Sequence, residues 1–503
     1  MRTKLFIKNS IVILVTKVLC YLAEFVARTV LIRTLPMEYV GVTGLFTNIL
    51  TVLSLSELGF GTVLVYSMYV PIAQNDEEKL LALTTFYKKV YRIVAMLVAI
   101  IGGVVTPFLP YIIKDCPDLP GLSLFYLLYL ANTVLSYTFT YRQSLFLADQ
   151  KMYVTNFYSN LLHIMRTVAQ IVVLVTLHNF TLYLLIQLPF TLCTNLLLSH
   201  KAKKAYPFLT SGKRPTLSSD EKTSIFKNVY AMFYHRLGYT VANFTDNLLI
   251  SFFLGLTAVS QNSCYTLLIT FLKSVINPLF SSLNSGIGNY YATKTKEETY
   301  SLFNLLYFAG FWFYTFCTIS FFLLVNPFIS FVWGDAFLFP LSVVLLISAN
   351  FYVSGVRMIT VTFKEALGIL YQDRYRPIAE SLLNLLLSIL LVRFWGISGI
   401  FAGTLISMLS TSLWVEVRVL FHYGFQRSAK PFWLGNVKYL AAGVSSFALT
   451  FLCSLPFDLP PLALIGTRIL LCLTIPNLFF LLFFHRSKEL RNLIDILKGV
   501  LRK

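Results

Sequence analysis

Lys17, Tyr21, Glu24 and Arg28 are residues of this chain whose types and spacing could do chemistry, because they interrupt an apolar run from about Ser10 to Ile32. At about 100° per residue, steps of four, three and four hold all four within roughly 60° of one helix face. A second apolar segment, about 39–69, answers with Thr47, Ser54, Glu57 and Gly61 on one face. Two later segments repeat the pattern. His235, Arg236, Tyr239, Asn243, Asp246 and Asn247 share an arc of about 120°, and Thr266, Thr270, Lys273, Asn277, Ser281 and Asn284 one of about 80°. A charge at bilayer depth costs about 2.5–3.5 kcal/mol even on the lenient insertion scale, so these faces must meet protein or a wet cavity. The deep charges lean positive: Lys17, Arg28, Arg236 and Lys273 against Glu24, Glu57 and Asp246. Such a lining suits an anion. Phosphate is the natural one, since guanidinium and ammonium groups neutralise it while Tyr, Asn, Ser and Thr can hydrogen-bond a sugar.

Plainer readings stand beside this one. Glu24 and Arg28, four apart, could form a local structural pair, and Asp246 could neutralise Arg236 or Lys273. Arg468 is expected to snorkel to headgroups. His163 and His235 are lone histidines without metal-ligand spacing, and Arg166 and Arg357 receive no role. No Walker-type loop, GxSxG, HExxH or paired-carboxylate setting occurs, so neither catalysis nor a metal or cofactor is expected.

The elements that must hold these residues follow from composition. The chain has 503 residues, 57% hydrophobic and 13% charged, which describes a polytopic membrane protein. Apolar runs of span length predict an all-α fold of about fourteen transmembrane helices. Their centres fall near Ala23, Leu53, Leu97, Val134, Val168, Leu188, Val241, Ile269, Phe313, Leu345, Leu387, Ile406, Phe447 and Leu473. The N-terminal run resembles a signal peptide, but Lys17 breaks it and no small-residue cleavage site follows, so it reads as an uncleaved first span. Seven cysteines show no CxxC spacing and read as packing residues. The net charge is +19. With both termini cytoplasmic, the outer loops hold only Arg33, Lys114 and Arg393, a positive-inside bias of roughly ten to one. Basic residues scattered over many loop ends argue against nucleic acid.

An offset of 219 brings two halves into register: Lys8-Asn9 meets Lys227-Asn228, Lys17 meets Arg236, Val40 meets Val259, and Thr47 meets Thr266. Six spans separate the halves, so both enter from one side, which predicts two parallel-repeat six-helix bundles. The expected organisation is an N-terminal bundle (1–200), a cytoplasmic linker (201–224), a C-terminal bundle (225–425), helices 13 and 14 (426–484) and an amphipathic cytoplasmic tail (485–503). In that tail Leu490, Leu493, Ile494, Leu497 and Leu501 share one face, predicted to lie on the membrane surface.

Two stretches carry a family resemblance. One runs from Arg28 to Glu78, with Arg33-Thr34-Leu35, Glu38-Tyr39-Val40-Gly41, Gly44-Leu45-Phe46-Thr47-Asn48, Ser56-Glu57-Leu58-Gly59 and Tyr69-Val70-Pro71-Ile72-Ala73. The other holds Tyr375-Arg376-Pro377, Glu380, Asn384-Leu385, Ser388 and Gly399-Ile400-Phe401-Ala402-Gly403-Thr404. Together they resemble the Wzx-like oligosaccharide flippases, of the superfamily that also holds multidrug antiporters and lipid II flippases. Pro36-Met37 departs from the usual Gly and small residue of a loop turn. The resemblance implies two six-helix bundles about a central cavity that opens alternately to each face. It also implies an undecaprenyl-diphosphate-linked oligosaccharide carried from the cytoplasmic to the outer leaflet of a bacterial inner membrane, for polysaccharide export. Lys17, Tyr21, Arg28, Arg236, Asn243, Lys273 and Asn277 are then the expected substrate contacts, and Glu24, Glu57 and Asp246 the coupling or charge-balancing acids. Membrane lipids, a coupling Na+ or H+, and polysaccharide polymerase and export proteins are the expected partners. A cation-coupled drug antiporter of the same fold is the alternative. A membrane glycan polymerase or ligase is the alternative of another class, although no large outer loop is present to hold its catalytic residues.

Overall fold

The computed structural model describes residues 2–54, 60–114, 119–138, 140–212, 215–227, 229–230, 245–281, 283–369, 371–455 and 459–501. Within them the chain is helical, with no strand among the described residues. The first half runs α1 (Arg2–Thr34), α2 (Met37–Leu53), α3 (Phe60–Ala73), α4 (Glu77–Val105), α5 (Leu122–Ser136), α6 (Thr140–Ala148), α7 (Met152–Leu177) and α8 (Phe180–Ala205). After residues outside the description come α9 (Asp246–Leu254), α10 (Leu256–Ser281), α11 (Leu283–Thr293), α12 (Lys296–Trp333), α13 (Leu341–Ala366), α14 (Arg376–Trp395) and α15 (Ile397–Phe425). The chain ends with α16 (Lys430–Ser454), α17 (Pro461–Phe483) and α18 (Lys488–Leu501). Every expected span centre except Val241, which lies outside the described residues, falls inside one of these helices. Nine helices among the described residues are long and apolar enough to cross a membrane, ten if the bent pair α5–α6 is one span. This is an all-α, multi-pass membrane protein.

Two helix starts 219 positions apart are capped by side chains. The Asp76 side chain accepts from Lys79 N at the start of α4. Thr295, 219 positions on, accepts from Glu298 N in a reciprocal capping box at the start of α12. The first residues of α2 and α10, Met37 and Leu256, and of α5 and α13, Leu122 and Leu341, stand at the same separation.

Two compact units divide the chain, Met1–Ser263 and Cys264–Lys503. In the first, α1 packs along α7, and the opening turns of α2 and α10 cross closely. Ser260 Oγ donates to Met37 O at 2.7 Å, and a Cβ on Gly41 would collide with Leu256 O. Gly44 faces Ser263. Gly41 and Gly44 are the repeat partners of Ser260 and Ser263, so each helix start grips the other as it is gripped, the pattern of a two-fold contact.

The second unit is cored by aromatic rings. Phe303, Phe363, Phe421, Phe425 and Phe432 join α12, α13, α15 and α16. Gly399 and Gly403 bring the α14–α15 hairpin to backbone contact at Leu391 and Ser388. The tail helix differs from expectation: Leu490 is buried beside Phe308, Phe311, Phe480 and Phe484, and Ile494 packs on the same cluster. Protein, not the membrane surface, covers that part of its apolar face.

Candidate functional site

In the first unit α1 and α7 bring polar groups together inside otherwise apolar helices. Glu24 Oε1 lies 3.1 Å from His163 Nε2. The other ring nitrogen, Nδ1, stands 2.7 Å from Arg166 Nη2. Because a guanidinium can only donate, Nδ1 accepts, which leaves Nε2 to carry the proton; Nε2 is buried close to Glu24 but makes no hydrogen bond of good geometry among the described residues. Glu24 therefore does not close a local pair with Arg28, four residues on; the partner is on another helix. Arg28 Nη1 and Arg166 Nε are buried with no hydrogen-bond partner among the described residues. Tyr129 and Tyr183 lie within electrostatic reach of both guanidiniums. Two cations face one carboxylate, and donor capacity is left over.

Beside this cluster opens a cavity of about 350 Å³. Arg166 and His163 form one part of its wall, and Ser136, Thr140, Gln143, Thr191, Thr194 and Asn195 supply hydroxyls and amides around it. The bend between α5 and α6, 48°, exposes Ser136 and Thr140 to this space. Asn195 Nδ2 donates to Leu135 O at 2.9 Å, satisfying a carbonyl at that bend. By sequence His163 is a lone histidine and Arg166 has no role; the structure places them where α1 meets α7. Their three-residue spacing on one helix was the available signal.

The other expected residues are placed as follows. Lys17 is exposed on α1, and Tyr21 and Glu24 are half-buried. Asp246 opens α9, with Oδ1 buried and unbonded among the described residues. Asn247 accepts from Asn262 Nδ2 at 2.6 Å. In the second unit Lys273 is half-buried on α10 and Asn277 exposed. Glu57, Arg236 and Asn243 lie outside the described residues, as do His235 and Tyr239. Arg468 corrects an expectation. Its Nη1 donates inward to Leu323 O on α12 at 2.8 Å instead of reaching for headgroups. Pro327, four residues on, has no N–H to give Leu323 O, so that carbonyl is open to the guanidinium, which costs less than unpaired charge in an apolar layer.

The second unit holds a charge network that sequence reasoning missed. Arg357 on α13 forks onto Glu416 on α15, Nε–Oε2 3.1 Å and Nη2–Oε1 3.0 Å, and reaches Glu380 on α14 at 3.1 Å. Arg376 bridges Glu380 and Glu416 at 3.0 Å each and Asp373 at 3.1 Å. Lys364 pairs with Asp373, and Ser412 donates to Glu380. Three cations meet three carboxylates, and Glu416 is wholly buried. Stretches of π-helix at Met408–Ser412 and Leu420–Phe425 flank Glu416 and adjust the register at which Ser412 and Glu416 face this network. Everything here is neutralised and bonded. The same unit holds an apolar cavity of about 410 Å³ between α10, α12 and α17, walled by side chains such as Leu272, Phe316, Phe321 and Leu473.

No protein-family model matches the sequence, and no curated protein does. Solved structures do. The fold is similar to that of the lipid II flippase MurJ in an inward closed conformation, with TM-score 0.70 over 96% of this chain and 100% of that one, at 12% identity. It is also similar to an inward-facing multidrug resistance MATE family transporter of the MOP superfamily, with TM-score 0.61 over 80% and 94%, at 13% identity. A third likeness is to a point mutant of the Vibrio cholerae MATE transporter VcmN, with TM-score 0.53 over 84% and 98%, at 16% identity. At these identities the likeness is one of fold alone: an all-helical membrane fold similar to those of MurJ and the MATE transporters.

Proposed function

We propose that this protein is a flippase that carries undecaprenyl-diphosphate-linked oligosaccharide units from the cytoplasmic to the outer leaflet of a bacterial inner membrane by alternating access, for polysaccharide export. One observation carries the reading: the polar cluster of the first unit is left cationic and short of acceptors, beside a cavity walled with hydroxyls and amides. Guanidinium donors match phosphate oxygens, and hydroxyl and amide groups match sugar hydroxyls. The balanced network of the second unit has no such surplus and reads as structural. The apolar cavity between α10, α12 and α17 is of a kind that receives hydrocarbon, as a polyprenyl chain requires.

In this reading Lys17, Tyr21, Arg28, Arg236, Asn243, Lys273 and Asn277 contact the headgroup and its first sugars. Glu24, Glu57 and Asp246 balance the cations once the substrate has left, with Na+ or H+ as a coupling ion. Both termini are cytoplasmic, and polysaccharide polymerase and export proteins receive the product. The buried Asp246 Oδ1, unbonded among the described residues, favours a second reading, a cation-coupled drug antiporter, since such an acid could take up a proton.

Reconstitution into vesicles separates these readings. A fluorescent diphosphate-linked oligosaccharide should become accessible at the opposite leaflet without change in glycan length, whereas a cationic dye should not be exchanged. Dye exchange without glycan movement would make the protein an antiporter, and glycan elongation would make it a polymerase.

A further inference from the structure

A pocket of about 430 Å³ lies in the first unit where the connection before α7 meets the last turns of α8. Lys151, Lys201 and Lys204 line it, with Tyr153, Phe157 and Tyr158 as aromatic wall. No carboxylate is among the described residues of that lining. The nearby Asp149 is already engaged: it pairs with Lys151 at 2.7 Å and accepts from the Tyr206 hydroxyl at 2.8 Å. Burial and the adjoining Asp149 push the Tyr206 hydroxyl upward, which keeps it protonated as that donor. Lys201 Nζ stands 5.0 Å over the Tyr158 ring, a contact that orients an ammonium without cancelling its charge. Three ammonium groups against one shared carboxylate leave a surplus of positive charge.

The pocket sits at the adjoining ends of two apolar spans. Lys201 and Lys204 fall in the last two turns of the span Phe180–Ala205, and Lys151 immediately precedes the span Met152–Leu177. Phe157, exposed on α7, carries the wall from the lysines into the apolar part of that span. At the repeat-equivalent connection of the second unit, Arg374 stacks over Tyr371 and Tyr375 at 3.7 and 4.6 Å, so basic-aromatic chemistry recurs at that register.

We propose that the Lys151–Lys201–Lys204 pocket binds the phosphate-bearing headgroup of an anionic phospholipid, with its first acyl carbons against Val154 and Phe157. Charge complementarity selects the phosphodiester, and the apolar wall selects a lipid over a soluble phosphate. This site is separate from the Arg28–Arg166 cluster and does not depend on what the protein transports.

The test uses the full chain purified in detergent with phosphatidylglycerol or phosphatidylcholine added, and native mass spectrometry to count retained lipid. The wild type should retain phosphatidylglycerol in preference. Lys151→Gln/Lys201→Gln/Lys204→Gln should reduce retention roughly tenfold or more, while Lys203→Gln, the same charge change outside the pocket, should not. Lys204→Gln alone, at an exposed position, should lower it by roughly fivefold and serves if the triple variant fails to fold. Equal retention by the pocket variants overturns the site. Displacement of the lipid by millimolar inorganic phosphate or glycerol phosphate overturns the lipid assignment in favour of a soluble phosphate.

Discussion

At the scale of single residues, the two units use buried arginine in opposite ways. Arg357 and Arg376 are saturated by carboxylates, so removing one acid leaves uncompensated charge in a closed site. Glu416→Gln should destabilise the protein by about 3–5 kcal/mol, read as a lowered thermal unfolding midpoint in detergent. Asp76→Ala, which removes only a helix cap, should cost about 1 kcal/mol by the same measurement. If the two shifts are equal, the network is not a structural pin. Arg166 is different, because its guanidinium has donors to spare. Under the proposed function, Arg166→Ala should leave folding intact and weaken apparent affinity for the diphosphate-linked glycan by roughly thirtyfold or more. Arg166→Lys should recover only part, since the fork geometry is lost. Unchanged vesicle transport in Arg166→Ala would remove this residue from the site.

At the scale of elements, the crossing of α2 and α10 is the contact to test. A Cβ built on Gly44 lies 3.5 Å from Ser263 Cβ, within the separation a disulfide needs. The double variant Gly44→Cys/Ser263→Cys should therefore cross-link under mild oxidant. If the bundles exchange access as proposed, oxidation should stop transport and reductant should restore it, with either single cysteine as control. Full activity in the oxidised protein would show that this seam stays shut throughout the cycle. The α14–α15 hairpin makes a contrasting case. Its glycines meet backbone at Leu391 and Ser388, and Asn384 Nδ2 donates to Thr404 Oγ1 at 3.1 Å, so it is expected to move as one body.

At the scale of the whole molecule, the question is what drives transport. A diphosphate headgroup bearing about two negative charges gains roughly 4–5 kcal/mol per 100 mV on moving outward from a negative interior. The carrier then needs only to attract the headgroup on one side and release it on the other. Under the proposed function, a surplus of cations serves the first step, and acids such as Glu24, which has His163 as an alternative partner, serve the second. In vesicles, collapsing the membrane potential at a constant pH gradient should slow net flipping. Flipping that instead follows the pH gradient alone would assign the coupling to protonation of Glu57 or Asp246.

The sequence by itself marked the helices and the 219-residue offset between the halves. Span length and apolar composition act locally, and local physics is written in adjacent residues. It also marked Lys17, Glu24, Arg28, Asp246 and Lys273 as charges needing a reason. What it could not determine was which charge answers which. A local Glu24–Arg28 pair was open because four residues is about one helical turn, yet the group beside Glu24 is His163, 139 positions away on a helix that packs alongside. Arg357, Glu380 and Glu416 occupy three different helices and show no spacing at all, so only packing brings their charges together. Ion pairing at bilayer depth is decided by which helix faces touch, because no solvent is present to take a neighbour's place. That is a property of the tertiary structure.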